Sequence, residues 1–146
     1  MRAPVFYISA AFIVSWNAWA APQVVPNQLL QLKPPEIAIG CTITMHYGVD
    51  LIVKALRQTP NDVNNQNALK VLLTYRAGLL SAVNPEEAKQ ARYTNIYSAF
   101  AQPGSSHFSE EMSFCGSVAE RFVPYVNKSD VNEEYESLLR PQTNKR

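Results

Sequence analysis

Charge of one sign is what this sequence most clearly lacks. Thirteen Lys and Arg stand against twelve Asp and Glu in 146 residues. Arg2 falls in a segment read below as removable, and its loss takes the formal charge from +1 to zero. Steering toward nucleic acid or an anionic membrane needs a clustered surplus of basic residues, so no nucleic-acid partner is expected. The same balance excludes an acidic nucleic-acid mimic. Cysteine is scarce, with only Cys41 and Cys115, and neither belongs to the C-x-x-C pair that lowers a thiol pKa for exchange chemistry. No Gly-rich phosphate loop, G-x-S-x-G nucleophile elbow or calcium loop of alternating oxygen ligands occurs. Internal repeats and low-complexity tracts are also missing. These absences leave no recognisable catalytic motif, and no cofactor is expected.

Long hydrophobic runs are missing too. The apolar stretch over residues 5–16 is shorter than the roughly 20 residues of a spanning helix, and Pro4, Ser9, Ser15 and Asn17 interrupt or bound it. Asp50, Lys54 and Arg57 cut the longest later stretch, so the rest of the chain is expected to carry no integral membrane span and to be soluble or peripheral.

What is present begins with the first twenty residues. Met1 and Arg2 form a short basic region, residues 5–16 an apolar core, and Ala18 and Ala20 an A-x-A cleavage site. This pattern predicts an exported protein, periplasmic or secreted, whose mature chain starts at Ala21. The remainder has single-domain size. In an oxidising compartment two cysteines most simply form one intramolecular bridge, and Cys41–Cys115 is the expected structural disulfide. An intermolecular bond or a redox pair are the alternatives.

Prolines 22, 26, 34 and 35 forbid a continuous helix over residues 21–35, which reads as an extended Pro-rich leader. The domain proper is expected over residues 36–140, with a polar tail at 141–146. Pro35 and Glu36 suit the first turn of a helix reaching about residue 58. Alternation from Ile37 to Leu51 also fits a strand. The rest of the chain offers no partner strand, so helix is preferred, with Ile37, Cys41, Met45, Gly48, Ile52, Ala55 and Leu56 as its buried face. A second helix is expected from Thr59-Pro60, carrying Leu69, Leu72, Leu73, Leu79, Leu80 and Val83. Asn84-Pro85-Glu86-Glu87 starts a third with Tyr93, Ile96, Tyr97 and Phe100 on its face. Residues 107–123 form a fourth, capped by Ser105 or Ser106, with Phe108, Met112, Cys115, Ala119 and Phe122 inward. A weaker piece at 129–139 carries Val131, Tyr135, Leu138 and Leu139. The sum predicts an all-α up-and-down bundle of four principal helices and a short fifth, stapled by one disulfide.

Candidate chemistry is sparse. His46 and Asp50, four apart, would share a helix face and resemble a general-base pair, yet no nucleophile is placed beside them. Met45, His46, His107 and Met112 suit copper by ligand type. Both methionines fall on predicted core faces, however, and no metal site is expected. The acidic runs Glu110-Glu111 and Glu133-Glu134 with Glu136 read as solvated helix faces rather than paired catalytic carboxylates. Asn127-Lys128-Ser129 is a glycosylation sequon, meaningful only in a eukaryotic host. Aromatic residues concentrate from Tyr75 to Tyr125, more than a small core needs, and Tyr97 and Tyr125 are the candidates for an exposed interaction surface. The expectation is a non-enzymatic exported module that binds another envelope or secreted protein, with a small-molecule or metal carrier as the alternative and an enzyme using His46 and Asp50 as a third.

Overall fold

The computed structural model describes residues 25–141. The expected signal segment, the start at Ala21 and the tail beyond Pro141 lie outside the described residues. Among those described, all regular structure is helical: α1 (Pro34–Gln58), α2 (Val63–Ala82), α3 (Pro85–Gln90), α4 (Tyr93–Ala99), α5 (Phe108–Glu120) and α6 (Lys128–Leu139). Single 3₁₀ turns at Asn27–Leu29 and Val123–Tyr125 complete the fold.

Pro34 and Pro35 open α1, and the Glu36 side chain accepts the Lys33 backbone N–H at 3.0 Å. The strand-like alternation has a simple origin. α1 is the central element, packed against α2, α4, α5 and α6, so apolar residues surround it nearly completely. Cys41, Met45, Val49, Ile52 and Leu56 are buried, while Ile37, Ile39, Ile43, Tyr47 and Leu51 pack partly buried around them. By length and composition α1 is apolar enough to cross a membrane, contrary to the expectation from its three charges. More than half of that apolar stretch is buried against its neighbours.

Thr59 closes α1 rather than opening α2, both its N–H and its hydroxyl donating to the Ala55 carbonyl. Asp62 is the true cap of α2, accepting the Asn65 N–H at 3.1 Å. Leu69, Leu72, Leu73 and Leu79 are buried as patterned, whereas Leu80 is exposed. Asn84 caps α3 through the Glu87 N–H at 2.8 Å, as its motif predicts. The helix that follows is not continuous, because Ala91 is extended and the chain re-enters a helix only at Tyr93.

α5 spans Phe108–Glu120 with Phe108, Met112, Cys115 and Ala119 inward, but Phe122 lies beyond it and is half-buried. Ser105 accepts the His107 N–H two residues before the α5 cap position, which is His107 itself, so neither Ser105 nor Ser106 caps the helix. The Cys41–Cys115 disulfide is formed, with Cα atoms 5.1 Å apart and both residues fully buried between α1 and α5. The described part of the segment expected as an extended leader departs most from its prediction. Leu29 and Leu32 are buried in the core, so residues 25–33 fold onto the domain.

Candidate interaction surface

Two buried carboxylates organise one face of the molecule. The side chain of Glu36 is 3% exposed. Its Oε1 accepts from the Lys33 N–H at 3.0 Å and Arg92 Nη2 at 2.6 Å, and its Oε2 accepts from the Arg92 backbone N–H at 2.9 Å and Nε at 3.0 Å. The Arg92 hydrogen bonds hold its carboxyl down to about 2, winning over the burial that opposes them. Capture of the Arg92 N–H by a side chain accounts for the interruption between α3 and α4, since that donor no longer serves a helical carbonyl.

Glu111 is fully buried, and the reading of Glu110-Glu111 as a solvated pair fails at this residue. Adjacent helical residues point about 100° apart, so Glu110 stays in solvent while Glu111 shares the inward face of Cys115. Its Oε1 accepts Gln28 Nε2 at 2.9 Å and its Oε2 accepts the Ala101 N–H at 2.7 Å. Arg92 immediately precedes α4 and Ala101 follows its C-cap. Each end of this seven-residue helix is therefore gripped through a backbone N–H, one by a carboxylate of α1 and the other by a carboxylate of α5.

Between those grips, Ile96, Ala99 and Phe100 are buried. A Cβ on Gly40 would stand 2.1 Å from the Phe100 ring, so glycine in α1 is what lets this ring seat. The outer side of α4 presents Tyr93, Thr94, Asn95, Tyr97 and Ser98 to solvent, and Gln102, Gly104, Ser105 and Ser106 continue it. Residues 93–106 contain no charged side chain. Tyr97 is 56% exposed and borders a shallow depression with Ile43 and Tyr47 of α1. The expected inward placement of Tyr93 and Tyr97 is thus corrected, while Ile96 and Phe100 hold to it.

Tyr125 is 79% exposed. It stands on the 3₁₀ turn that packs against α2, where Phe122 and Val126 approach Gly78. The two tyrosines singled out by sequence are both on the surface but on separate elements. Tyr75 is buried instead, its hydroxyl donating to Glu120 at 2.7 Å, and burial together with that carboxylate pushes the phenol above its ordinary range.

His46 and Asp50 do meet, with Nε2 and Oδ2 3.6 Å apart, and both are more than half exposed. The opposite ring nitrogen, Nδ1, lies 3.2 Å from Arg76 Nη1, and Arg76 also pairs with Glu134 of α6. Because guanidinium only donates, this contact occupies the Nδ1 lone pair and places the ring proton on Nε2, facing Asp50. The imidazole acts as a bridge from α1 through α2 to α6. Glu134 belongs to this bridge, while Glu133 and Glu136 are solvated as expected.

Met45 and Met112 are buried in the core, whereas His46 and His107 lie in solvent, so the residues considered for copper do not converge. Among the described residues no group of three or more His, Cys, Asp or Glu is arranged to hold a metal ion. Asn127 of the sequon caps α6 by accepting the Ser129 N–H at 2.9 Å. No protein-family model, curated protein or solved structure matches this chain.

Proposed function

We propose that this protein is exported to an oxidising compartment, periplasmic or extracellular, and works there as a non-enzymatic module that binds another protein through the outer surface of α4 and the loop after it. In this reading the four longer helices form an up-and-down bundle that serves as a rigid platform. The observation that carries the proposal is the charge-free stretch 93–106, with Tyr93 and Tyr97 outward. Interface cores are depleted of charge and enriched in tyrosine. Binding surfaces built from Tyr, Ser and Asn combine rigid contact area with adaptable hydrogen bonding. The grips of Glu36 and Glu111 on both ends of α4 add to this, because a surface ordered before binding loses less entropy on association. The leader pattern and the buried disulfide support the compartment.

A photo-crosslinking residue at Tyr97 tests the reading, with one at exposed Glu133 of α6 as the control. The expected result is a single crosslinked protein from the host envelope at position 97 that is missing at 133. The Tyr93→Ala, Tyr97→Ala double variant should lose that partner at least tenfold in affinity, as truncation of a central anchor does, with unchanged helicity. Equal products at both positions, or a double variant that binds normally, would defeat the proposal.

A further inference from the structure

At the far end of α1, about 25 Å from Gly40 at 1.5 Å rise per residue, a groove of about 430 Å³ opens where α1 and α6 terminate. That volume lies within the range of small-molecule sites. Its lining consists of the apolar side chains of Leu56, Pro60, Leu138, Leu139 and Pro141 together with Arg57 and Arg140. No carboxylate pairs with either arginine among the described residues, and no acidic side chain lines the groove. One basic residue near each helix C-terminus is the ordinary complement to the dipole. Here the two come from different helices and border the same apolar floor, which gives the groove a hydrophobic body and a cationic rim.

We propose that this groove binds a single-chain amphiphile with an anionic head, of the class of a medium-chain fatty acid. The acyl chain lies along Leu56, Leu138 and Leu139, and the carboxylate sits between Arg57 and Arg140. Guanidinium suits this role because its fork matches a carboxylate and it is more weakly hydrated than an ammonium, so less solvation is lost beside an apolar floor. The site is separate from the α4 surface and does not depend on the proposed partner.

Sodium laurate, kept below its micelle concentration, is the probe, added to the ¹⁵N-labelled disulfide-bonded protein. Dodecylamine supplies the same chain with the opposite charge, and acetate the head alone. The expected result is saturable amide shift changes confined to residues 56–59 and 138–140 with laurate, and none with acetate. Dodecylamine should bind at least tenfold more weakly. Arg57→Gln with Arg140→Gln, both at exposed positions, should weaken laurate at least tenfold while keeping the parent helical signature. Failure of laurate to saturate, equal binding of dodecylamine, unaltered affinity in the double variant, or shifts centred elsewhere would each overturn the assignment.

Discussion

Glu36 carries a strong electrostatic signature. Four hydrogen bonds converge on its carboxylate, three of them from Arg92. They hold its pKa at about 2 instead of the ordinary 4.5. A group that ionises more readily folded than unfolded stabilises the fold wherever both forms are charged. This contribution is complete above about pH 4.5 and falls away as the pH drops toward 2, because the unfolded chain takes up the proton first. The urea midpoint of the wild type should therefore decline through that window. Glu36→Gln should start lower at pH 7, by about 2 kcal/mol, since an amide leaves at least one of these buried donors unpaired. Its pH dependence across the same window should be shallower. Parallel wild-type and variant profiles would show that another carboxylate governs acid stability.

At the scale of elements, α4 is the piece whose placement depends most on single contacts. It is seven residues long, too short to persist alone. Ile96 anchors its middle and Phe100 its C-cap, while Glu36 and Glu111 hold the N–H groups that flank it. Glu111→Gln tests this directly, because glutamine has one acceptor oxygen for two donors, the Gln28 amide and the Ala101 N–H. The expected outcome is faster hydrogen exchange at residues 96–101, by roughly tenfold or more for about 1–2 kcal/mol of lost local stability. Amides in the middle of α1 and α2 should keep their wild-type protection. Uniform acceleration throughout the chain would mean that Glu111 supports the whole fold rather than one end of α4.

The same contacts mark the limit of what the sequence discloses. Caps were readable because they act over three or four residues, as Asn84 and the Pro34–Glu36 turn show. The Thr59-Pro60 signal places the start of α2 too early, because the pairing of Asp62 with the Asn65 N–H is not read from the sequence. Burial of Glu36 and Glu111 was not legible at all. Their partners include groups 56 and 83 residues away, and an Asp or Glu in a first helical turn ordinarily faces water. Tyr97 reads in the sequence both as part of the inward face of one continuous third helix and, from surplus aromatic content, as a surface candidate; only the second holds, and the charge-free surface around it becomes meaningful only once α4 breaks from α3. For residues 25–33, the described part of the leader, only a 3₁₀ turn precedes α1, but proline content gave no sign that Leu29 and Leu32 are buried.

For the molecule as a whole, the disulfide sets the balance between folded and unfolded chain. It joins α1 to α5 across 74 residues, enclosing all of α2, α3 and α4. In the chain-entropy treatment a loop of this length restricts the unfolded ensemble by roughly 4 kcal/mol. Domains of this size are typically stable by about 5–15 kcal/mol, so the bridge represents a large share of the margin. Replacing both cysteines by alanine should move the urea midpoint down by about 2 M, taking a slope near 2 kcal/mol per molar. The helical signature should survive in the absence of denaturant, because Met45, Ile52, Leu72 and Leu73 still fill the core around the bridge. A shift below about 0.5 M would mean that the reduced chain already keeps α1 and α5 together when unfolded. With the larger shift, the dithiol form would be marginal and the chain secure only after oxidation, which fits the oxidising compartment in which the α4 surface is proposed to act.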